Sequence, residues 1–210
     1  MCAKRFMRLA VGSRGAEGAF SRITLRAGIL PLASLALLVG PGCGPRDVPP
    51  PAAASNASLK LDVVDHAELM RRVAAQRGQV VVLDCWSTSC PPCVREFPGL
   101  VRLAAAHPDS VACMSLSFDY EGIGTVEDAA ARVREFLASV GAGQVENLLG
   151  REEADAMCRR LELDSVPAVY VWRPDGTLAR RFDDDDARRR LGRAFTYEDV
   201  AAEVRSLLAE

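Results

Sequence analysis

The sequence predicts an α/β domain built on a mixed central sheet, a βαβ unit followed by a ββα unit, with helices on both faces. Three observations predict this class. Short β-branched apolar runs alternate with stretches whose apolar residues recur at helical spacing. A Pro-Asp-Gly turn joins two such runs late in the chain. The pattern fills residues 59–210, about 150 residues, enough to bury a core without covalent staples.

The first 58 residues have a different character. Lys4, Arg5, Arg8, Arg14, Arg22 and Arg26 stand against one acid, Glu17, and are followed by the uncharged run GILPLASLALLVGPG. That run is shorter than the roughly 20 residues a comfortable membrane span needs. A basic region, a short apolar region and small residues before a boundary read as an export signal over residues 1–43. The boundary Gly40-Pro41-Gly42-Cys43 resembles the lipobox of bacterial lipoproteins, with Gly40 where an aliphatic residue is usual. That resemblance implies lipidation of Cys43 and a membrane anchor. Plain secretion and an uncleaved anchor remain open, and all three export the rest of the chain. Residues 44–58, GPRDVPPPAAASNAS, read as a linker, since Pro49, Pro50 and Pro51 favour extended geometry.

Within the domain the elements follow in order. DHAELMRRVAAQRG is a helix, with Asp65 as N-cap, Glu68 three residues on and Gly78 as its stop. QVVVLDCW is a β-branched run of the kind that forms a buried central strand. Residues 91–106 read as one helix with Val94, Phe97, Leu100, Val101 and Ala104 on one face, and Pro98 as a kink. SVACMSLSFD is a second apolar strand. TVEDAAARVREFLASVG is a helix opened by Thr125 and Asp128 and closed at Gly141, and REEADAMCRRLEL is helical. SVPAVYVWRPDGTLARRF reads as two strands around Arg173-Pro174-Asp175-Gly176. FTYEDVAAEVRSLLAE is a C-terminal helix with Thr196 as N-cap. The run DDDD at 183–186 beside RRR at 188–190 reads as a solvated loop: consecutive acids diverge and lack calcium-loop spacing.

Composition excludes some functions. The net charge is −2, so no basic excess marks nucleic acid as a partner. Seven cysteines, an odd number, cannot all pair within the chain. Two of them stand apart, in DCWSTSCPPCVREFP. Cys90 and Cys93 sit where a strand ends and a helix begins. Free N–H groups and a partial positive charge at a helix N-terminus stabilise a thiolate on the first cysteine. Pro91 and Pro92 tolerate the first turn, where a missing N–H costs little, and stiffen the loop. Cys90 is then the exposed attacking thiol and Cys93, one turn on, the resolving thiol. A zinc site needs a second ligand pair, and the two histidines, His66 and His107, lack metal-ligand spacing. A structural disulfide without turnover remains an alternative, although so small a loop restrains the unfolded chain little.

These residues resemble the active site of the thioredoxin superfamily, closest to its membrane-anchored TlpA/ResA-like thiol-disulfide oxidoreductases. VVVLDCWSTSCPPCVREFP is similar to their strand, Trp, C-P-P-C and kinked helix, and DSVPAVYVWRPDGTLARRF is similar to their cis-proline and hairpin. The resemblance covers residues 60–210 and implies a thioredoxin-like fold. It implies that Pro167 is cis beside the cysteine pair, and that Asp84, six residues before Cys90, is a buried proton acceptor for Cys93. Burial raises such an acid toward working pH. It further implies a substrate-facing surface of Trp86, Pro91, Pro92 and Val166, a protein disulfide as substrate and a membrane thiol donor as reductant. No cofactor is implied, and cytochrome c maturation is one setting. Glu96 reads as a surface charge, with a local modulator of the site as the alternative.

Ser89 departs from the family, many of whose members carry a second Trp there, and Cys85 stands for a usual Phe. Cys113 and Cys158 read as small buried core residues, and Cys2 as lost with the signal. Two other functions fit the residues less well. A peroxidase of the peroxiredoxin kind needs a P-x-x-x-T-x-x-C context that STSCPPC lacks. A copper chaperone or binding module of this fold pairs its cysteines with a downstream histidine, and none follows His107.

Overall fold

A computed structural model of the chain describes residues 59–210. The export segment, Cys43 and the linker expected over 1–58 lie outside the described residues. Among the described residues, one sheet holds β1 (Leu61–Val64), β2 (Val80–Trp86), β3 (Val111–Ser117), β4 (Glu146–Gly150), β5 (Ala168–Trp172) and β6 (Leu178–Phe182). Their order across it is β1-β4-β3-β2-β5-β6. β1, β4, β3 and β2 run parallel, whereas β5 and β6 add antiparallel. The helices are α1 (His66–Ala75), α2 (Pro91–Glu96), α3 (Pro98–Ala106), α4 (Val126–Ser139), α5 (Ala154–Arg160), α6 (Asp184–Arg190) and α7 (Tyr197–Leu208). The mixed sheet flanked by helices is the predicted fold class. None of these helices is long and apolar enough to cross a membrane.

β2 explains the layering. Every residue of VVVLDCW is buried, because parallel neighbours and helices cover both faces. Its side chains alternate. Val80, Val82 and Trp86 pack with Cys93, Leu100, Val133 and Val204, drawn from α2, α3, α4 and α7. Val81, Leu83 and Cys85 face the other way, against Leu69 and Val73 of α1 and Met157 and Cys158 of α5.

Local signals decide the element ends. Asp65 Oδ1 accepts the Glu68 N–H at 2.8 Å and starts α1. Thr125 and Asp128 form a reciprocal capping box at α4. In the β5–β6 turn the Gly176 N–H donates to the Arg173 carbonyl at 2.9 Å, with Gly176 at φ +86°.

Four details differ from the sequence expectation. β1 and β4 have only 4 and 5 residues, too short for an apolar period to declare itself. Both are set by pairing: β4 lies between β1 and β3 and takes its hydrogen bonds from both. The single helix expected over 91–106 is two, α2 and α3, which meet at Phe97. Pro98 has no N–H to continue the ladder, so it opens a new first turn. The DDDD stretch is not a loop. Asp183 accepts the Asp186 N–H at 2.8 Å and caps α6. Asp186 is buried, paired to Arg180 at 3.1 Å and to Arg190 at 2.9 Å, and Arg180 in turn lies over the Phe182 ring. Consecutive acids diverge, as expected, and that divergence sends one of the four inward. Arg188, Arg189 and Arg190 then stand in the last turn, where cations favour the helix dipole.

Candidate functional site

β2 ends at Trp86, and the chain turns through Ser87, Thr88 and Ser89 into α2. The Cys90 N–H closes this turn onto the Ser87 carbonyl at 3.1 Å. Ser87 Oγ also accepts the Ser89 N–H at 3.2 Å and lies 2.9 Å from Ser89 Oγ. Cys90 is the N-cap of α2. Its Sγ accepts the Cys93 N–H at 3.3 Å. Because Pro91 and Pro92 have no N–H, Cys93 supplies the first-turn donor aimed at that sulfur. A donor there favours a thiolate on Cys90 once the pair is reduced.

The pair is closed as a disulfide with a Cα–Cα separation of 5.3 Å. Cys90 is 8% exposed and Cys93 3%. Cys90 is thus the less buried residue of the two, but it is not the exposed thiol expected from its helix-terminal position, because it packs into the core cluster with Trp86 and Phe97. Pro91 and Ser89 are exposed and Pro92 half-buried, so they form the rim around it.

Asp84 sits in the middle of β2, opposite Ser115 of β3 and Val169 of β5. Strand alternation puts its side chain on the face of Val82 and Trp86, the face that also holds Cys93. It is 4% exposed, and burial pushes its carboxyl up to about 7. A hydrogen bond from Tyr197 opposes that rise: the phenol donates to Asp84 Oδ2 at 2.6 Å.

The Val166-Pro167 bond is cis. Pro167 immediately precedes Ala168, which pairs with Cys85, so it stands at the end of β5 that abuts the end of β2. Val166 is half-buried and packs against both halves of the core.

Trp86 departs from its expected place on a substrate-facing surface. It has no exposed area, and its ring lies 4.7 Å from Phe97 and 4.8 Å from Phe136, centroid to centroid. As an inward-facing β2 residue it is covered by Phe97, where α2 meets α3, and by Phe136 of α4. Glu96 is not a simple surface charge either. Its Oε2 accepts the Tyr197 N–H at 3.2 Å, which ties α2 to the first turn of α7.

Three further residues had no role in the sequence expectation. Asp119, just beyond β3, is buried and accepts the Thr88 N–H at 3.0 Å, the Thr88 hydroxyl, and the Ser117 hydroxyl at 2.7 Å. It therefore holds the turn leading to Cys90 from the neighbouring strand. Tyr197 joins α7 to Asp84, and Gly99 gives Tyr197 its space. A glycine inside a helix is a sequence signal for close packing; the pairing of Asp84 with a tyrosine so far along the chain has no local signature.

Cys85 and Cys113 are free thiols, both buried. Burial, reinforced by the charge of Asp84, pushes the Cys113 thiol up to about 12 and Cys85 well above its ordinary range. Neither is poised to act as a nucleophile. Cys158 is buried on α5. Among the described residues, no group of three or more His, Cys, Asp or Glu is arranged to hold a metal ion.

No protein-family description matches the chain. No curated protein matches it either. Solved structures of similar shape include a secreted Mycobacterium tuberculosis disulfide oxidoreductase homologous to E. coli DsbE, 23% identical, with a TM-score of 0.47, covering 64% of this chain and 86% of the other. StoA from Bacillus subtilis is 17% identical, with a TM-score of 0.43, and covers 60% and 83%. A thiol:disulfide interchange protein DsbE from Chlorobium tepidum is 18% identical, with a TM-score of 0.47, and covers 65% and 84%. Identities this low leave the chemistry to be read from the chain's own residues.

Proposed function

We propose that this protein is an exported thiol-disulfide oxidoreductase that reduces protein disulfides through Cys90 and Cys93. The observation that carries the reading is the Cys90–Cys93 pair at the start of α2, packed on the face of β2 to which the buried carboxyl of Asp84 also points. In the reduced protein the Cys90 thiolate, favoured by the Cys93 N–H, attacks one sulfur of a substrate disulfide. A Cys90–substrate disulfide forms and the substrate's other sulfur leaves as a thiolate. The Cys93 thiol then gives its proton to the Asp84 carboxylate. The Cys93 thiolate attacks Cys90 Sγ, closing the intramolecular disulfide and releasing the second substrate thiolate. Two electrons pass to the substrate, and the closed pair is the oxidised product of that cycle. A membrane thiol donor restores the dithiol.

Pro91, Pro92 and the backbone of Val166 beside Pro167 form the substrate-facing rim in this account. Lipidation at Cys43 tethers the domain on the extracytoplasmic side, with residues 44–58 as the linker, and cytochrome c maturation is a setting that suits a reductant. The reduction potential of the Cys90–Cys93 pair tests the direction. A value near thioredoxin's, about −270 mV, supports a reductant, and one near DsbA's, about −120 mV, reverses the assignment.

A further inference from the structure

The first turn of α7 is fastened to the site at three points, all through Tyr197. Its hydroxyl donates to Asp84 Oδ2 at 2.6 Å. Its backbone N–H donates to Glu96 Oε2 at 3.2 Å, three residues beyond Cys93. Its ring and Cβ lie against Gly99, where a Cβ would overlap the tyrosine Cβ and Cγ. Tyr197 is 4% exposed, and its hydroxyl is satisfied inside the protein by Asp84. A tyrosine needed only for packing does not require its hydroxyl to meet a buried acid.

We propose that Tyr197 is a positioning residue for Asp84: by engaging Oδ2 it orients the carboxyl and leaves Oδ1 to receive the Cys93 proton during resolution. This rests on the reading of Asp84 as proton acceptor. The step balances: the proton moves from Cys93 Sγ to Asp84 Oδ1, the electron pair left on Cys93 forms the bond to Cys90 Sγ, and the Cys90–substrate S–S bond breaks with its pair leaving on the substrate sulfur as a thiolate.

The surroundings of Asp84 leave Tyr197 as the group with leverage. On β2 its neighbour is the Cys85 thiol, and from β3 the Cys113 thiol contributes; both stay neutral, because burial raises them. Ser115 and Val169 stand opposite on the flanking strands, and the Ser115 hydroxyl is spent on Asn147 Oδ1 at 3.0 Å. On α2 the Glu96 carboxylate is engaged by the Tyr197 backbone. Tyr197 is itself raised well above its ordinary range and remains a donor at working pH. Hydrogen bonding to the charged form of a carboxyl favours that form, in opposition to burial.

The test uses the full chain and oxidised glutathione as the probe. The rate at which Cys93 expels glutathione from a Cys90–glutathione disulfide is followed against pH, and the Asp84 side-chain carbon is titrated by NMR. Tyr197→Phe keeps the ring against Gly99. It is expected to raise both midpoints together, by about one unit, so that glutathione release below the midpoint slows about tenfold. In an Asp84→Asn background the same change is expected to leave the release rate unmoved. Gly99→Ala, which displaces the ring without altering a charge, is expected to move the midpoints in the same direction. If Tyr197→Phe leaves both midpoints in place while Asp84→Asn abolishes the pH limb, Tyr197 has no positioning role. An Asp84→Asn profile identical to that of the unaltered protein overturns the proton-acceptor reading beneath it.

Discussion

Gly99 and Tyr197 meet without room for a single carbon: the glycine's missing Cβ is the space the tyrosine Cβ and Cγ occupy. That contact joins α3 to the first turn of α7. Gly99→Ala must push α7 outward or bend α3, and overpacking of this kind costs about 1–3 kcal/mol. Urea unfolding is expected to show a lower midpoint with an unchanged slope.

Asp84 makes stability depend on pH. Its carboxyl is raised from the ordinary aspartate value of 3.8 to about 7. Between those values the folded protein binds the proton and the unfolded chain does not, so stability falls as pH rises from about 4 to about 7. The fall attributable to this group is about 4 kcal/mol, at 1.36 kcal/mol per unit. Asp84→Asn, neutral throughout, is expected to flatten the curve in that window. A stability that rises over the same range in the unaltered protein and not in the variant contradicts the assignment.

Asp119 holds Thr88 through both backbone and hydroxyl. Asp119→Ala leaves the Thr88 N–H and the Ser117 hydroxyl without their acceptor, at about 1–3 kcal/mol for each group stranded out of water. Faster hydrogen exchange at the Thr88 amide is the expected signature, with slower attack by Cys90 as its turn loosens. Unchanged exchange at Thr88 contradicts the role.

The four acids at 183–186 are unequal. Asp186→Ala removes one of the two carboxylates that hold the mostly buried Arg180, leaving Glu203, and also frees the exposed Arg190; it is expected to destabilise by about 2 kcal/mol. Asp185, exposed and paired to Arg188, and Asp184, exposed, are expected to change stability by less than about 0.5 kcal/mol when replaced by Ala. Thermal unfolding of the three variants separates them.

The parts of this protein legible in its sequence are those with local causes. Asp65, Thr125 and Pro98 each act within a turn of their own position, and the helix starts and the break at Phe97 follow from them. β2 was legible because seven consecutive residues are buried, which demands an apolar run, here interrupted only by Asp84. β4 was not, since its five residues become a strand by lying between β1 and β3. The candidate site divides in the same way. Cys90 and Cys93 stand out by their spacing at a strand-to-helix junction, whereas Asp84 came into view only through the family resemblance, six residues before Cys90. Tyr197 could not be linked to Asp84 from its surroundings, for the hydrogen bond spans 113 positions. Glu96 looked like surface because its partner, a backbone N–H on α7, is provided only by the tertiary fold. The depth of Trp86 had no local signal, because it depends on Phe97 at the α2–α3 junction and Phe136 of α4 closing over it.

The central claim is that Cys90 attacks and Cys93 resolves, and trapping tests it most directly. Cys93→Ala, incubated reduced with a disulfide-bonded protein, is expected to accumulate a mixed disulfide that mass spectrometry assigns to Cys90, while Cys90→Ala accumulates none. An adduct at Cys85 or Cys113, or no adduct with either variant, contradicts the account.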